Sequence, residues 1–261
     1  EELARREDRL ARLAEAKAKM EARARERFAR EQVEHEAKMK ARADKQKATG
    51  KKPGGKKPAP PTAEPDAKDQ INLTDEDSRI MPVAGGGFEQ AFNAQAAVSA
   101  GSMLVVAADV VQATNDKQQI VPMLEQLGQL PAALGTADTL LADSGYFSAA
   151  NVTACDAAKI APLIAMAREH HHRSWRDRFA QAPPAPDNLT PLAAMCHRLA
   201  TPEGKQLYAL RKQTPEPVFG IIKSVMGFRQ FLLRGLEKVK GEWSLVTMAW
   251  NIKRMFALAA A

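Results

Sequence analysis

The stretch TLLADSGYFSAANVTACDAAKIAPLIA, residues 139–165, decides the fold class. Thr139 to Ala142 is a short apolar run that predicts a buried strand delivering Asp143 at its end. Ala149 to Ala158 predicts a helix, and Ile160 to Ala165 a further strand. Strand, helix and strand in so short a span point to an α/β protein. Upstream, Phe92 to Val98 and Met103 to Val111 read as two strands around the turn Ser99 to Ser102. Gln118 to Leu130 then reads as a helix, with Asn115 or Asp116 as its cap. The expected architecture is a mixed sheet with flanking helices.

Downstream, Tyr208 to Trp243 reads YALRKQTPEPVFGIIKSVMGFRQFLLRGLEKVKGEW. Thr214 is the expected cap of a helix opened by Pro215, which puts Glu216 in the first turn. Glu216, Phe219, Gly220 and Lys223 then share one face. The helix dipole favours an ionised carboxylate at that end, which suits a metal ligand as well as it suits an ordinary capped helix. Tyr208, Arg211 and Lys223 are residue types that grip phosphates. From Gly235 to Leu258 a last helix carries Leu236, Val239, Trp243, Val246, Trp250 and Met255 on one broad apolar face, and its tryptophans read as core rather than as base-stacking platforms.

Composition narrows the choice of function. The chain has 261 residues, 45% of them hydrophobic but only 5% aromatic, so one sizeable core must be built mainly from Ala, Leu, Val and Met. A net charge of +7 favours a polyanionic partner. Two cysteines, Cys155 and Cys196, give no disulfide framework and agree with a reducing cytoplasm. No run is long and apolar enough to span a membrane, so no membrane association is expected. The chain opens at Glu1 inside a charged helical pattern, which reads as a fragment or a truncated frame.

Residues 1–48 are expected to form a charged helical arm, with Leu10, Leu13 and Met20 only hinting at a heptad seam. Residues 49–70, rich in Lys, Pro and Gly, are expected to be a flexible basic linker, and 71–261 the main domain. Gly85 to Gly87 reads as a turn before a strand rather than as a phosphate loop. His170, His171, His172 and His197 with the two cysteines lack paired zinc spacing. Arg168, Arg173, Arg176 and Arg178 around Trp175 read as a basic surface segment.

Several ordered blocks together carry a resemblance. Leu140 to Ser148, with its Asp-x-Gly-Tyr at Asp143 to Tyr146, and the Tyr208, Arg211, Glu216, Lys223 set are similar to the catalytic signatures of bacterial insertion-sequence transposases of the DDE type. Phe92 to Val98 with Asn115-Asp116, and Asn72 to Asp75 with Ser78 to Met81, resemble the preceding parts of the same family. The resemblance implies a ribonuclease-H-like mixed sheet and a two-metal phosphoryl transfer. Water first cuts the phosphodiester at the element's end, and the freed 3′-hydroxyl then attacks target DNA. Asp143 and Glu216 would be catalytic metal ligands for Mg²⁺ or Mn²⁺. Tyr208, Arg211, Lys212, Lys223, Arg229 and Arg234 would contact double-stranded DNA, both element ends and target. A homodimer and a cytoplasmic, nucleoid-associated location in a bacterium are the further expectations.

The chain departs from the family at two points. Four residues separate Arg211 from Glu216 where the family has three, and Lys212 stands at the family spacing. The first catalytic Asp, usually in an Asp-Gly-Thr strand, has no counterpart here; Ser99 follows Val98 where relatives often carry an acid, and Asp109 at a strand end is the candidate substitute. With two carboxylates instead of three, the chain alone is expected to be inactive. The alternative reading is a catalytically dead remnant that still binds DNA. A helical scaffold built on the arm would leave the ordered motifs after residue 90 unexplained.

Overall fold

The computed structural model describes residues 1–51, 54–83, 85–167, 184 and 190–260. It divides into two compact units, Glu1–Glu76 and Asp77–Ala261.

The first unit is built on α1 (Glu2–Thr49), which ends at Gly50 in the left-handed conformation. Ala, Glu, Lys and Arg sustain it, helped by pairs four residues apart such as Glu15–Lys19 and Glu34–Lys38. Leu3, Leu10 and Leu13 are exposed, and only Ala16 and Ala24 are buried. The chain beyond the basic tract is held to α1 by polar contacts. Arg42 donates to the carbonyls of Gly54 and Gly55, Arg27 grips both Asp69 oxygens at 2.8 and 2.9 Å, and Lys19 and Arg23 reach the carboxylate and carbonyl of Glu76. Burial by itself raises the Asp69 carboxyl. The Arg27 hydrogen bonds and charge, with the Asp66 amide, outweigh that and hold it below the ordinary carboxylate range. A folded pKa below the unfolded one means that the contact's stabilisation is present above about pH 4 and is lost as pH falls below it. Arg27→Ala is therefore expected to return Asp69 towards its ordinary value in a carboxyl NMR titration.

The second unit opens with a hairpin, β1 (Arg79–Pro82) against β2 (Phe88–Ala91). Gly85, Gly86 and Gly87 all have φ between 91° and 99°, so the glycine run is the hairpin's turn. β3 (Asn93–Val98) pairs antiparallel with β4 (Val105–Val111), with an irregularity at Ala97/Val98. α2 (Ile120–Gly128) follows, then β5 (Thr139–Ala142), α3 (Ala149–Ala157) and β6 (Ala161–Ile164), with β5 and β6 parallel. The strand–helix–strand reading of 139–165 holds to within a residue or two at each boundary. Among the described residues the strands pair as three two-stranded sheets, not as one continuous mixed sheet. Ser148 caps α3 by accepting from the Asn151 amide at 3.0 Å.

After the undescribed segment come α4 (Pro191–Ala200), α5 (Pro202–Ala209), a 3-10 turn Leu210–Gln213, α6 (Pro215–Ser224) and α7 (Leu236–Ala259). The segment Arg168 to Arg178 and His170 to His172 lies outside the described residues. Thr190 and Thr201 each accept an amide at a helix start, with Pro next in sequence. The α4–α5 corner is tight. A Cβ on Gly204 would lie 1.8 Å from the Arg198 carbonyl oxygen, a backbone atom with no room to move. Gly204→Ala is expected to cost about 3 kcal/mol or more, read as a lower urea midpoint with an unchanged slope.

Two apolar clusters support the sheets. One joins Val105 and Val110 of β4 to Val218 and Ile222 of α6 and to Val239, Trp243 and Trp250 of α7. The other joins Ile120 and Leu124 of α2 to Ala142, Val152, Cys155, Ile164 and Met195. Both tryptophans are core, as read from the sequence. Trp243 Nε1 donates to the Gln95 carbonyl at 3.0 Å, and Trp250 Nε1 to the Met103 carbonyl at 2.9 Å. Met255, placed on the same apolar face by its spacing, is half exposed instead.

Candidate functional site

A cleft of about 750 Å³ runs along β3 and β5, lined by every residue of both strands. The two expected carboxylates reach it by different means. Asp143 sits just past β5, where its Oδ1 accepts the Gly145 amide at 2.8 Å. Glu216 lies in the first turn of α6, after Pro215, and also lines the cleft. Thr214 occupies the cap position of α6 but does not cap it. Its hydroxyl donates to the Leu210 carbonyl at 2.6 Å, because the preceding 3-10 turn brings that oxygen within reach.

The structure adds Asp116, which with Asn115 is one of two candidate caps of α2 by sequence. α2 is capped at Gln119 without a side-chain bond, and Asp116 turns instead into the cleft. Its Oδ1 accepts from Asn93 Nδ2 and Gln95 Nε2, both at 2.8 Å. Gln95 Oε1 in turn accepts from the Tyr146 hydroxyl at 2.5 Å. A Cβ on Gly145 would lie 2.9 Å from Asp143 Oδ1 and 3.4 Å from Asp116 Oδ2, so the two carboxylates flank this glycine, and only a residue without a side chain fits between them. Burial raises the Tyr146 hydroxyl well above its ordinary pKa, and the charges of Asp116 and Asp143 add to the rise. Tyr146 is thus a fixed donor that ties the turn after β5 to β3. One signal for this network was in the sequence: Asn93 and Gln95 are two apart on one strand and so share a face.

Arg211, in the 3-10 turn, also lines the cleft. Its guanidinium lies 5.6 Å from the centre of the Tyr208 ring, and Nη1 is 3.9 Å from Glu216 Oε1. That separation is longer than the 2.7–2.9 Å of a strong charge-assisted bond. Arg211 Nε is buried without a hydrogen-bond partner among the described residues. Tyr208, Lys212, Lys223, Arg229 and Arg234 do not line the cleft. Lys212, Lys223, Arg229 and Arg234 are exposed around it in sequence, while Tyr208 packs behind Arg211. Asp109 is no substitute for the first carboxylate. It sits within β4, accepts its neighbour's amide at 2.7 Å, pairs with Lys240 at 3.1 Å, and does not line the cleft.

A family model described as Transposase DDE domain matches residues 68–252. The chain belongs to this family. No curated protein and no solved structure matches the chain. Transposases of the DDE family act on DNA and use divalent metal ions. The donor chemistry of this transposase domain suits such an ion, since Asp143 and Glu216 offer hard carboxylate oxygens. The donor number is short: among the described residues no group of three or more His, Cys, Asp or Glu is arranged to hold a metal. Burial pushes the Cys155 thiol up to about 11, which disfavours the thiolate that zinc binding needs. No described helix is long and apolar enough to cross a membrane.

Proposed function

We propose that this transposase chain is the catalytic part of an insertion-sequence enzyme with a ribonuclease-H-like arrangement, spanning residues 71–261 and lacking that fold's first strand. The observation that carries the reading is the convergence of Asp143, Glu216 and Arg211 on one cleft from positions far apart in sequence. Among the described strands β3 and β5 each pair with one neighbour, and both line the cleft along their whole lengths. A strand paired with both would merge the two sheets and bring a third carboxylate beside Asp143. Asp143 and Glu216 would hold Mg²⁺ or Mn²⁺, which supplies charge stabilisation for an in-line displacement at phosphorus. Arg211 keeps a charged fork beside that position, held on the Tyr208 ring. Lys212, Lys223, Arg229 and Arg234 supply sequence-independent contacts to the phosphates of double-stranded element ends and target. The enzyme works as a homodimer in a bacterial cytoplasm, associated with the nucleoid.

The incomplete ligand set favours a second reading as well, a remnant that binds DNA without cutting it. Binding and strand transfer measured on an element-end duplex with Mg²⁺ separate the possibilities. The chain alone is expected to bind with a steep salt dependence and to transfer no strands. Strand transfer by this chain alone would sink the two-carboxylate reading. Absence of binding even at low salt would sink the DNA-contact assignment. Activity restored by a longer form that carries the first strand would exclude the remnant.

A further inference from the structure

The last helix is apolar on two sides, and among the described residues only one of them is buried. Val239, Trp243 and Trp250 of α7 are buried against the core. On the other side Leu245, Met248, Ile252 and Met255 are 63%, 52%, 43% and 50% exposed. Between Trp243 and Ala259 the only charged residues are Lys253 and Arg254, and the Arg254 guanidinium is turned back to donate to the Ser102 carbonyl. A helix apolar all round is a helix that is covered all round, so the outer stripe is built to be buried.

The spacing says by what. Leu245, Met248, Ile252 and Met255 follow one another at three, four and three residues, the period of a helix that packs along another helix as a coiled-coil seam. Val106 and Ala108 of β4 border the same stripe and widen it into a shallow groove. The residues beside the seam, Ser244, Ala249 and Asn251, are small or uncharged, so two identical seams meet without like-charge repulsion. Asn251 is already satisfied, exchanging hydrogen bonds with both backbone groups of Val105 at 2.8 Å. With Phe256, 74% exposed at the far end, the stripe offers on the order of 500 Å² per copy. A two-fold pair then buries about 1,000 Å², the size at which specific interfaces begin.

We infer that the outer face of α7 is a homodimer seam, occupied by the same helix of a second copy. The inference gives a surface to the proposed homodimer and rests on neither the carboxylates nor the DNA contacts. Sedimentation velocity of the full chain between about 1 and 100 µM tests it, in the range where an interface of this size associates. The wild type is expected to dimerise, and Leu245→Glu with Ile252→Glu to be monomeric throughout with the near-UV signal of buried Trp243 and Trp250 retained. The milder pair Leu245→Ala with Ile252→Ala introduces no charge and serves where the glutamates unfold the chain; it is expected to weaken association at least tenfold. A wild type that stays monomeric at the highest concentration overturns the inference. So does a dimer that keeps its affinity in the alanine pair, since it is then held elsewhere, as through α1.

Discussion

Replacing Trp243 with Ala is expected to destabilise the 77–261 unit by about 3–5 kcal/mol, the largest loss from any single truncation in this core. The ring is stacked on Phe219 at 5.5 Å and meets Phe231 edge-on at 6.4 Å, so its removal opens a cavity lined by groups from α6, α7 and the loop between them. Its indole N–H also satisfies the Gln95 carbonyl, and loss of that donor leaves a strand carbonyl unpaired. Trp243→Phe separates the two terms. It keeps most of the packing and removes the donor, with an expected cost of about 1–2 kcal/mol. Urea unfolding followed by far-UV circular dichroism reads both, since removing one of the three tryptophans would change the fluorescence signal between variants. A Trp243→Ala chain as stable as the wild type would mean that α7 does not clamp β3 and β4.

Asp143→Asn is expected to lower Mn²⁺ affinity at least tenfold in calorimetric titration and to abolish strand transfer in any form of the enzyme that is competent for it. The substitution keeps an acceptor for the Gly145 amide, so the local turn survives while the charge is removed. Lys223→Ala makes the opposite pattern. Mn²⁺ binding is expected to be unchanged, while DNA binding weakens alike for all sequences and its salt slope falls by about 1. Equal Mn²⁺ affinity in wild type and Asp143→Asn would remove Asp143 from the metal assignment. Asp116→Asn distinguishes a positioning role from ligation. It loses the anionic acceptor for Asn93 and Gln95 and removes one of the charges that add to the burial-raised pKa of Tyr146. The tyrosine ultraviolet titration is therefore expected to move part of the way down, while burial and Asp143 keep it raised.

Much of the site was legible from local rules. Pro215 at a helix start fixes Glu216 in the first turn whatever surrounds it, because proline's φ and missing N–H suit that position. The apolar run before Asp143 likewise fixes that residue at a strand end. Cap assignments were less secure. Asn115 and Asp116 have the right chemistry to cap α2, yet Asp116 finds two amide donors on a neighbouring strand and the cap goes unmade. Asp109 could be placed on a strand but not on a side of the sheet that faces the cleft, and Lys240, remote in sequence, claims it.

The sequence by itself determined the strands and helices of 93–164, the helices opened by Pro215 and Gly235, a glycine turn at 85–87, the long charged arm and the burial of the two tryptophans of the last helix. Each follows from periodicity, φ preference or apolar surface, which act over a few residues. The first hairpin's strands and the helices Pro191–Ala200 and Pro202–Ala209 were not read from it. Only the tertiary structure decided that the described strands pair in three separate sheets, that Asp116 belongs beside Asp143, and that α7 exposes one apolar stripe among the described residues. Those outcomes depend on which distant groups compete for the same hydrogen bonds and the same apolar face, and chain spacing does not encode that competition.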